Sequence, residues 1–181
     1  EVGSHPAHVV ADRNGRGYAA LSGGNEVAVV DLAQAEVIGR IATGAFPHGL
    51  RLSPDGSELY VANVEDGSVS VIDMATLAEA ARIPAGMAPV QVGFTPDGTK
   101  VYVSLRDENR VAVIDGESLE VTDYILVGQR VWQLAFNADQ SRLYTTNGNS
   151  NDVTVIDVAS GRALKSIQVG QQPWGVVVAP E

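Results

Sequence analysis

Apolar residues alternate with polar or small ones in short bursts along the chain, and the bursts recur. Leu50 and Leu52, Val92 and Phe94, Leu134 and Phe136, and Val176 and Val178 each mark a period of two, which predicts strands. A turn follows, Ser53-Pro-Asp-Gly56 or Thr95-Pro-Asp-Gly98, with proline presetting φ and glycine accepting a positive one. Asp12-Arg-Asn-Gly15 and Asn137-Ala-Asp-Gln140 stand in the same register as weaker versions. A second strand comes next: Leu59-Tyr-Val-Ala62, Val101-Tyr-Val-Ser104, Leu143-Tyr-Thr-Thr146, and the less regular Tyr18-Ala-Ala-Leu21. After a polar loop a third strand ends each time in aspartate, at Asp31, Asp73, Asp115 and Asp157. A fourth strand is more polar, and Arg40, Arg82 and Lys165 suit it to an outer edge.

The whole pattern repeats. Its opening glycines are Gly3, Gly44, Gly86, Gly128 and Gly170, separated by 41, 42, 42 and 42 residues. A constant period with four short strands per unit predicts an all-β chain, a β-propeller of four-stranded antiparallel blades. One such sheet cannot bury both faces alone, and radial stacking supplies the missing cover. The expected blades span residues 3–43, 44–85, 86–127 and 128–169. Residues 170–181 form the first strand of a further or closing blade. About four blades are expected in these residues, as the C-terminal part of a longer, seven-bladed ring. The remaining blades are expected from an upstream segment or from a second copy.

Composition narrows the function. The 181 residues carry a net charge of −10, which argues against nucleic acid and anionic membranes. No apolar run reaches the length of a membrane span. There is no cysteine, hence no thiolate chemistry. No signal-peptide pattern is present, so any export signal is expected outside these residues.

The Tyr-Val strand followed by Val-x-Val-Ile-Asp resembles the bacterial YVTN-type β-propeller repeat. Asp123-Tyr-Ile-Leu-Val-Gly-Gln-Arg-Val-Trp-Gln-Leu-Ala-Phe136, Thr145-Thr-Asn-Gly-Asn-Ser-Asn-Asp-Val-Thr-Val-Ile-Asp157 and Pro173-Trp-Gly-Val-Val-Val178 are similar to the C-terminus of the propeller family associated with PQQ-dependent alcohol catabolism. That resemblance implies an exported, periplasmic, seven-bladed protein. It also implies a protein partner such as a quinoprotein dehydrogenase or a cytochrome.

Candidate chemistry lies on the loops that open each first strand and on those joining strands two and three, which share one propeller face. His5, His8, His48, Gln91, Arg130, Trp132, Gln133, Gln172 and Trp174 fall near the axis. Asn25, Asn63, Glu65, Asp66, Arg106, Asp107, Asn147, Asn149 and Asn151 fall further out. Side chains that vary between copies on a fixed frame are where specificity would be installed. The expected ligand or partner surface is Trp132, Trp174, Arg130, Gln133, Gln91, His48 and His8. Trp132 and Trp174 offer indoles to a flat ligand or a partner, or seal the joint between blades. Arg130 suits a carboxylate. His5, His8 and His48 are metal candidates, against a plain reading as polar loop residues. No cofactor is expected, with PQQ or a metal as lesser alternatives. Asn147-Gly-Asn-Ser-Asn-Asp152 is read as a turn, because it lacks the closing glutamate of a calcium loop. The four repeated aspartates are read as structural. Ser4, His5 and Asp12 form no nucleophile elbow or triad, and no catalytic residue is assigned. The leading expectation is a non-enzymatic scaffold. The rivals are a lactonase-like hydrolase, a cofactor-carrying oxidoreductase and a surface-layer module.

Overall fold

A computed structural model describes residues 1–179. Sixteen strands form four antiparallel sheets, each a meander in chain order. The first sheet is β1 (Pro6–Ala11), β2 (Arg16–Leu21), β3 (Glu26–Asp31) and β4 (Glu36–Ala42). The second is β5 (Pro47–Leu52), β6 (Glu58–Asn63), β7 (Ser68–Asp73) and β8 (Ala78–Pro84). The third is β9 (Pro89–Phe94), β10 (Lys100–Leu105), β11 (Arg110–Asp115) and β12 (Val121–Leu126). The fourth is β13 (Val131–Phe136), β14 (Arg142–Asn147), β15 (Asp152–Asp157) and β16 (Arg162–Gln168). β1 packs beside β5, β5 beside β9 and β9 beside β13, while the outer strands β4 and β8, and β12 and β16, meet. The sheets are therefore blades with their first strands inward, and the chain is a β-propeller of about four blades.

The core lies between blades. Tyr18, Val27, Val29 and Ile41 of the first blade pack on Leu50, Leu59, Val61 and Ile72 of the second. Tyr60, Val69, Val71 and Ile83 then pack on Val92, Phe94, Val101 and Val103. Tyr102, Val111, Val113 and Ile125 pack on Leu134, Leu143 and Ile156. In the second and third blades the tyrosine of the second strand meets the last apolar residue of the next inner strand. Tyr60 and Phe94 stand edge to face at 4.9 Å, and Tyr102 and Phe136 at 5.7 Å. Burial of these rings is what holds neighbouring sheets in place, since a lone sheet leaves one face wet.

The repeated aspartates are turn caps, as their recurrence predicts. Asp31, Asp73, Asp115 and Asp157 each accept backbone N–H bonds two or three residues on, from Gln34 at 2.9 Å, Thr76 at 2.7 Å, Ser118 at 2.8 Å and Ser160 at 2.8 Å. The strand expected at Val176–Val178 does not form a ladder. Residues 174–179 pair with no strand, because no described strand offers them backbone partners. The last two residues of the expected closing segment, 180–181, lie outside the described residues.

Two irregularities recur and matter for the site. The ladder between first and second strands slips at Pro6/His8, Pro47/Leu50, Ser104/Leu105 and Val131/Leu134. Proline stands at this point in three of the four blades and lacks the donor that a regular ladder would use, while Val131 of the fourth slips without it. The slipped stretches carry Ala7, His48 and Gly49, Val90, and Trp132 and Gln133. A bulge re-aims side chains, and here it frees the mouth-side residues of each inner strand from the ladder.

Candidate functional site

The loops opening the first strands and those joining second and third strands interlock on one face, as the sequence predicts. Ala45 N–H bonds Asp66 at 2.9 Å, Met87 N–H bonds Glu108 at 2.6 Å and Gln129 N–H bonds Ser150 at 2.9 Å. Three of the opening loops are also gripped by an asparagine of the preceding blade. Asn25 accepts from Phe46 N–H, Asn109 from Arg130 N–H and Asn151 from Gln172 N–H, at 2.9, 2.9 and 2.8 Å. Asn25, Asn109 and Asn151 have left-handed backbones, with φ of 55, 57 and 58°. Asparagine tolerates that region better than most residues.

This corrects the sequence expectation for part of the rim. Asn25 and Asn151 are clamps between blades. Asn63 and Asn147 are fully buried, the latter bonded to Asp152 at 2.6 Å and Thr154 at 2.9 Å. Their amide N–H groups donate to hydroxyl and carboxylate oxygens where the hairpins turn, Asn63 to Ser68 and Ser70 and Asn147 to Asp152 and Thr154. The signal was available: Asn109 and Asn151 are one repeat apart and Asn25 is two repeats before Asn109, with Gly67 in the remaining copy.

Inside this frame, residues of all four blades line one cavity of about 650 Å³ at the channel mouth. His5, Pro6 and Ala7 come from the first blade, Phe46 and His48 from the second, Arg106 from the third and Trp132 from the fourth. A volume of this size is in the range of small-molecule and cofactor sites, ~300–1,000 Å³.

The structure separates the histidines by their hydrogen bonds. His48 Nδ1 lies 3.0 Å from the Val90 carbonyl oxygen. A carbonyl only accepts, so Nδ1 carries the proton and the neutral ring keeps its lone pair on Nε2. That is the arrangement of a ligating imidazole, oriented by its second nitrogen. His8 is the reverse. Leu50 N–H donates to His8 Nδ1 at 3.3 Å, which puts the proton of the neutral ring on Nε2. Burial, then the nearby His48, pushes His8 below the ordinary histidine range and keeps it neutral. His5 is exposed and pairs with the Ser4 hydroxyl at 2.8 Å. The three rings thus have separate partners. Among the described residues no group of three or more His, Cys, Asp or Glu could hold a bare metal ion.

Trp132 and Trp174 do come together. Their rings stack at 4.2 Å and 27°, so each indole spends one face on the other and no planar group fits between them. His48 stands 6.4 Å from Trp132, and the guanidinium carbons of Arg130 and Arg106 lie 5.1 and 5.7 Å from its ring. Gln133 accepts a bond from Val176 N–H at 2.8 Å, and the Thr146 hydroxyl donates to the Trp174 carbonyl at 3.1 Å. Gln133 and His8 therefore share one duty, a side-chain acceptor on the backbone of the next inner segment. Gln91, in the same register, is buried. Next to it, a Cβ on Gly49 would run into the Val90 carbonyl and Gln91.

The comparisons with known proteins fit this architecture. The profile of the cytochrome D1 heme domain family matches residues 5–131. Hydrazine synthase of Kuenenia stuttgartiensis is similar over 89% of this chain, with a TM-score of 0.82 and 28% identity. A functionally unknown protein of Desulfotomaculum acetoxidans DSM 771 is similar over 97% of this chain, with a TM-score of 0.82 and 18% identity. The chain spans 48% and 62% of the lengths of these two proteins. No curated protein sequence matches it. The comparisons support a propeller but not the PQQ-associated family implied by the sequence resemblance. They also overturn the expectation of no cofactor, because the matching family is a heme domain. The single-sequence reading had no signal for this, since a heme site needs only one or two side-chain ligands and no spaced motif.

The residues at the channel mouth fit that group. Heme needs an imidazole with a free nitrogen, apolar walls and cations for its carboxylates. His48 Nε2 and Phe46 with Trp132 supply the first two in one cavity, and Arg106, paired with Asp107, lines it together with Glu65.

Proposed function

The chain belongs to the cytochrome D1 heme domain family, and we propose that it is a propeller scaffold binding a heme at the channel mouth of its loop face. His48 Nε2 would hold the heme iron, Phe46 and Trp132 would flank the macrocycle, and Arg106, bridged to Asp107, would stand near its charged edge. When bound, the heme supplies one-electron transfer and ligand binding at iron. The protein's own contribution is orientation. The Val90 carbonyl fixes the His48 ring, and the blade-to-blade clamps hold the mouth at little ordering cost. The family membership and the absence of a long apolar helix among the described residues are compatible with a periplasmic setting.

One observation carries the reading: the His48 Nδ1–Val90 hydrogen bond, which reserves Nε2 in a cavity built by four blades. Titration with hemin, followed in the Soret band, tests it. Saturable binding with one hemin per chain is expected, and His48→Ala should weaken it about tenfold or more. Binding that does not saturate, or a His48→Ala protein that binds equally well, would reject the assignment.

A further inference from the structure

Five residues share an unusual backbone two positions after each opening glycine. His5, Phe46, Ala88, Arg130 and Gln172 have φ between 49 and 59°. None is glycine, although glycine enters this region at no steric cost. The conformation is held from both sides. At Arg130 the N–H bonds Asn109 at 2.9 Å and the carbonyl accepts from Gly148 N–H at 2.9 Å. At Phe46 the same bonds run to Asn25 at 2.9 Å and from Val64 N–H at 3.0 Å. A strained residue locked by its surroundings and keeping a side chain is a display position. The displayed side chains differ in every copy, and two of them, His5 and Phe46, already line the channel mouth.

Arg130 is the cationic member of this set. It makes no ion pair among the described residues, whereas Arg106 is spent on Asp107 through two bonds of 2.8 and 3.0 Å. Arg110 faces Glu108 and stacks on Tyr124. Arg130 lies over Trp132 at 5.1 Å and lines a second, polar cavity of about 550 Å³ with Arg106, Asp107, Asn109, Gln129 and Asn149, the carboxylate of Asp107 being taken up by Arg106. Arg106 borders both cavities, so the polar one adjoins the channel mouth.

We propose that Arg130 is the carboxylate anchor of the channel-mouth site, selecting a planar ligand that carries an acid group at its edge. This rests on the heme reading above. A guanidinium stacked on an indole presents its N–H groups outward in a fixed plane, which matches the two oxygens of a carboxylate. Asn109 and Gln129 add amide groups beside it. Of the remaining positions, Phe46 offers an aromatic wall, while Ala88 is buried.

Hemin and hemin dimethyl ester, which differ only in the carboxylates, separate the alternatives when titrated into the unaltered chain, Arg130→Gln and Arg110→Gln. Arg130→Gln should weaken hemin binding about tenfold, the usual scale for a lost charged hydrogen bond, and leave the ester unaffected. Arg110→Gln should change neither. Equal weakening of hemin and ester, no weakening of either, or an equal effect from Arg110→Gln would overturn the anchor while leaving heme binding intact. Failure of the unaltered chain to bind hemin at all would overturn the underlying reading, and the anchor with it.

Discussion

His8 and His48 lie one repeat apart and carry opposite protons. His48 faces a carbonyl and must donate, whereas His8 faces an N–H and must accept. For His8 this makes folding sensitive to pH. Its folded-state pKa is lowered by burial, then by His48, with a smaller push from Arg51. A depressed histidine stabilises the fold fully above the unfolded value, ~6.5, and loses that contribution as pH falls below it. His8→Gln keeps an acceptor in the manner of Gln133 and removes the titration. Its melting temperature should therefore fall less between pH 7.5 and pH 5.5 than that of the unaltered protein. Parallel losses in the two proteins would show that His8 is not the titrating group. The sequence already separates these two histidines by register, with His48 at the position of Ala7 and His8 at that of Gly49. The distinction comes from a one-position offset within the repeat, which decides whether a ring meets the carbonyl or the N–H of the next inner strand.

At the level of elements, the inner strand is where regular pairing gives way to function. Its bulge releases His48 and Trp132 toward the channel, and glycine at Gly49 lets the neighbouring inner strand come close. A Cβ there would meet the Val90 carbonyl that orients His48. Gly49→Ala should destabilise the fold by about 1–3 kcal/mol, the usual cost of overpacking, read as a lower denaturation midpoint at unchanged slope. It should also disturb the His48 orientation, so hemin affinity should drop with it. An unchanged midpoint would mean that β5 and β9 stand further apart than described. The strands themselves were readable from alternation, and the turns from Pro-Asp-Gly and the closing aspartates. Asn25 and Asn151 were misread, and Asn109 was passed over, because they sit in polar loops that resemble a variable surface. Their repetition at one register was the clue to structure, just as it was for Asp31 and its equivalents. The expected closing strand is assigned to a blade whose other strands lie outside these residues, so its unpaired state here does not bear on that assignment. Val176 and Val178 have the right pattern, but a strand needs a neighbour, and pattern alone does not supply one.

On the scale of the molecule, the two propeller faces differ in charge. Turns on the far face carry Asp12, Asp55, Asp97 and Asp139 along with the third-strand aspartates. Asp55 is held down to about 2 by the Ser57 N–H and the Ser53 and Ser57 hydroxyls, so that face stays anionic. The loop face instead gathers Arg106 and Arg130 around Trp132. In a chain of net charge −10, Arg106 and Arg130 put cations beside Trp132, with Glu65 and Asp107 on the same face, so attraction for an acidic ligand is local to that side of the mouth. The repeat period made this architecture legible, including which loops share a face. It left the ligand hidden, because convergence of His5, Phe46, His48, Arg106 and Trp132 depends on the rotation between blades, a quantity that no single repeat contains. The most direct test is a crystal of the hemin-loaded protein measured at the iron absorption edge. The account predicts one anomalous peak within bonding distance of His48 Nε2, inside the cavity walled by Phe46 and Trp132. A peak bound elsewhere on the chain, or none in crystals that contain stoichiometric hemin, would contradict it.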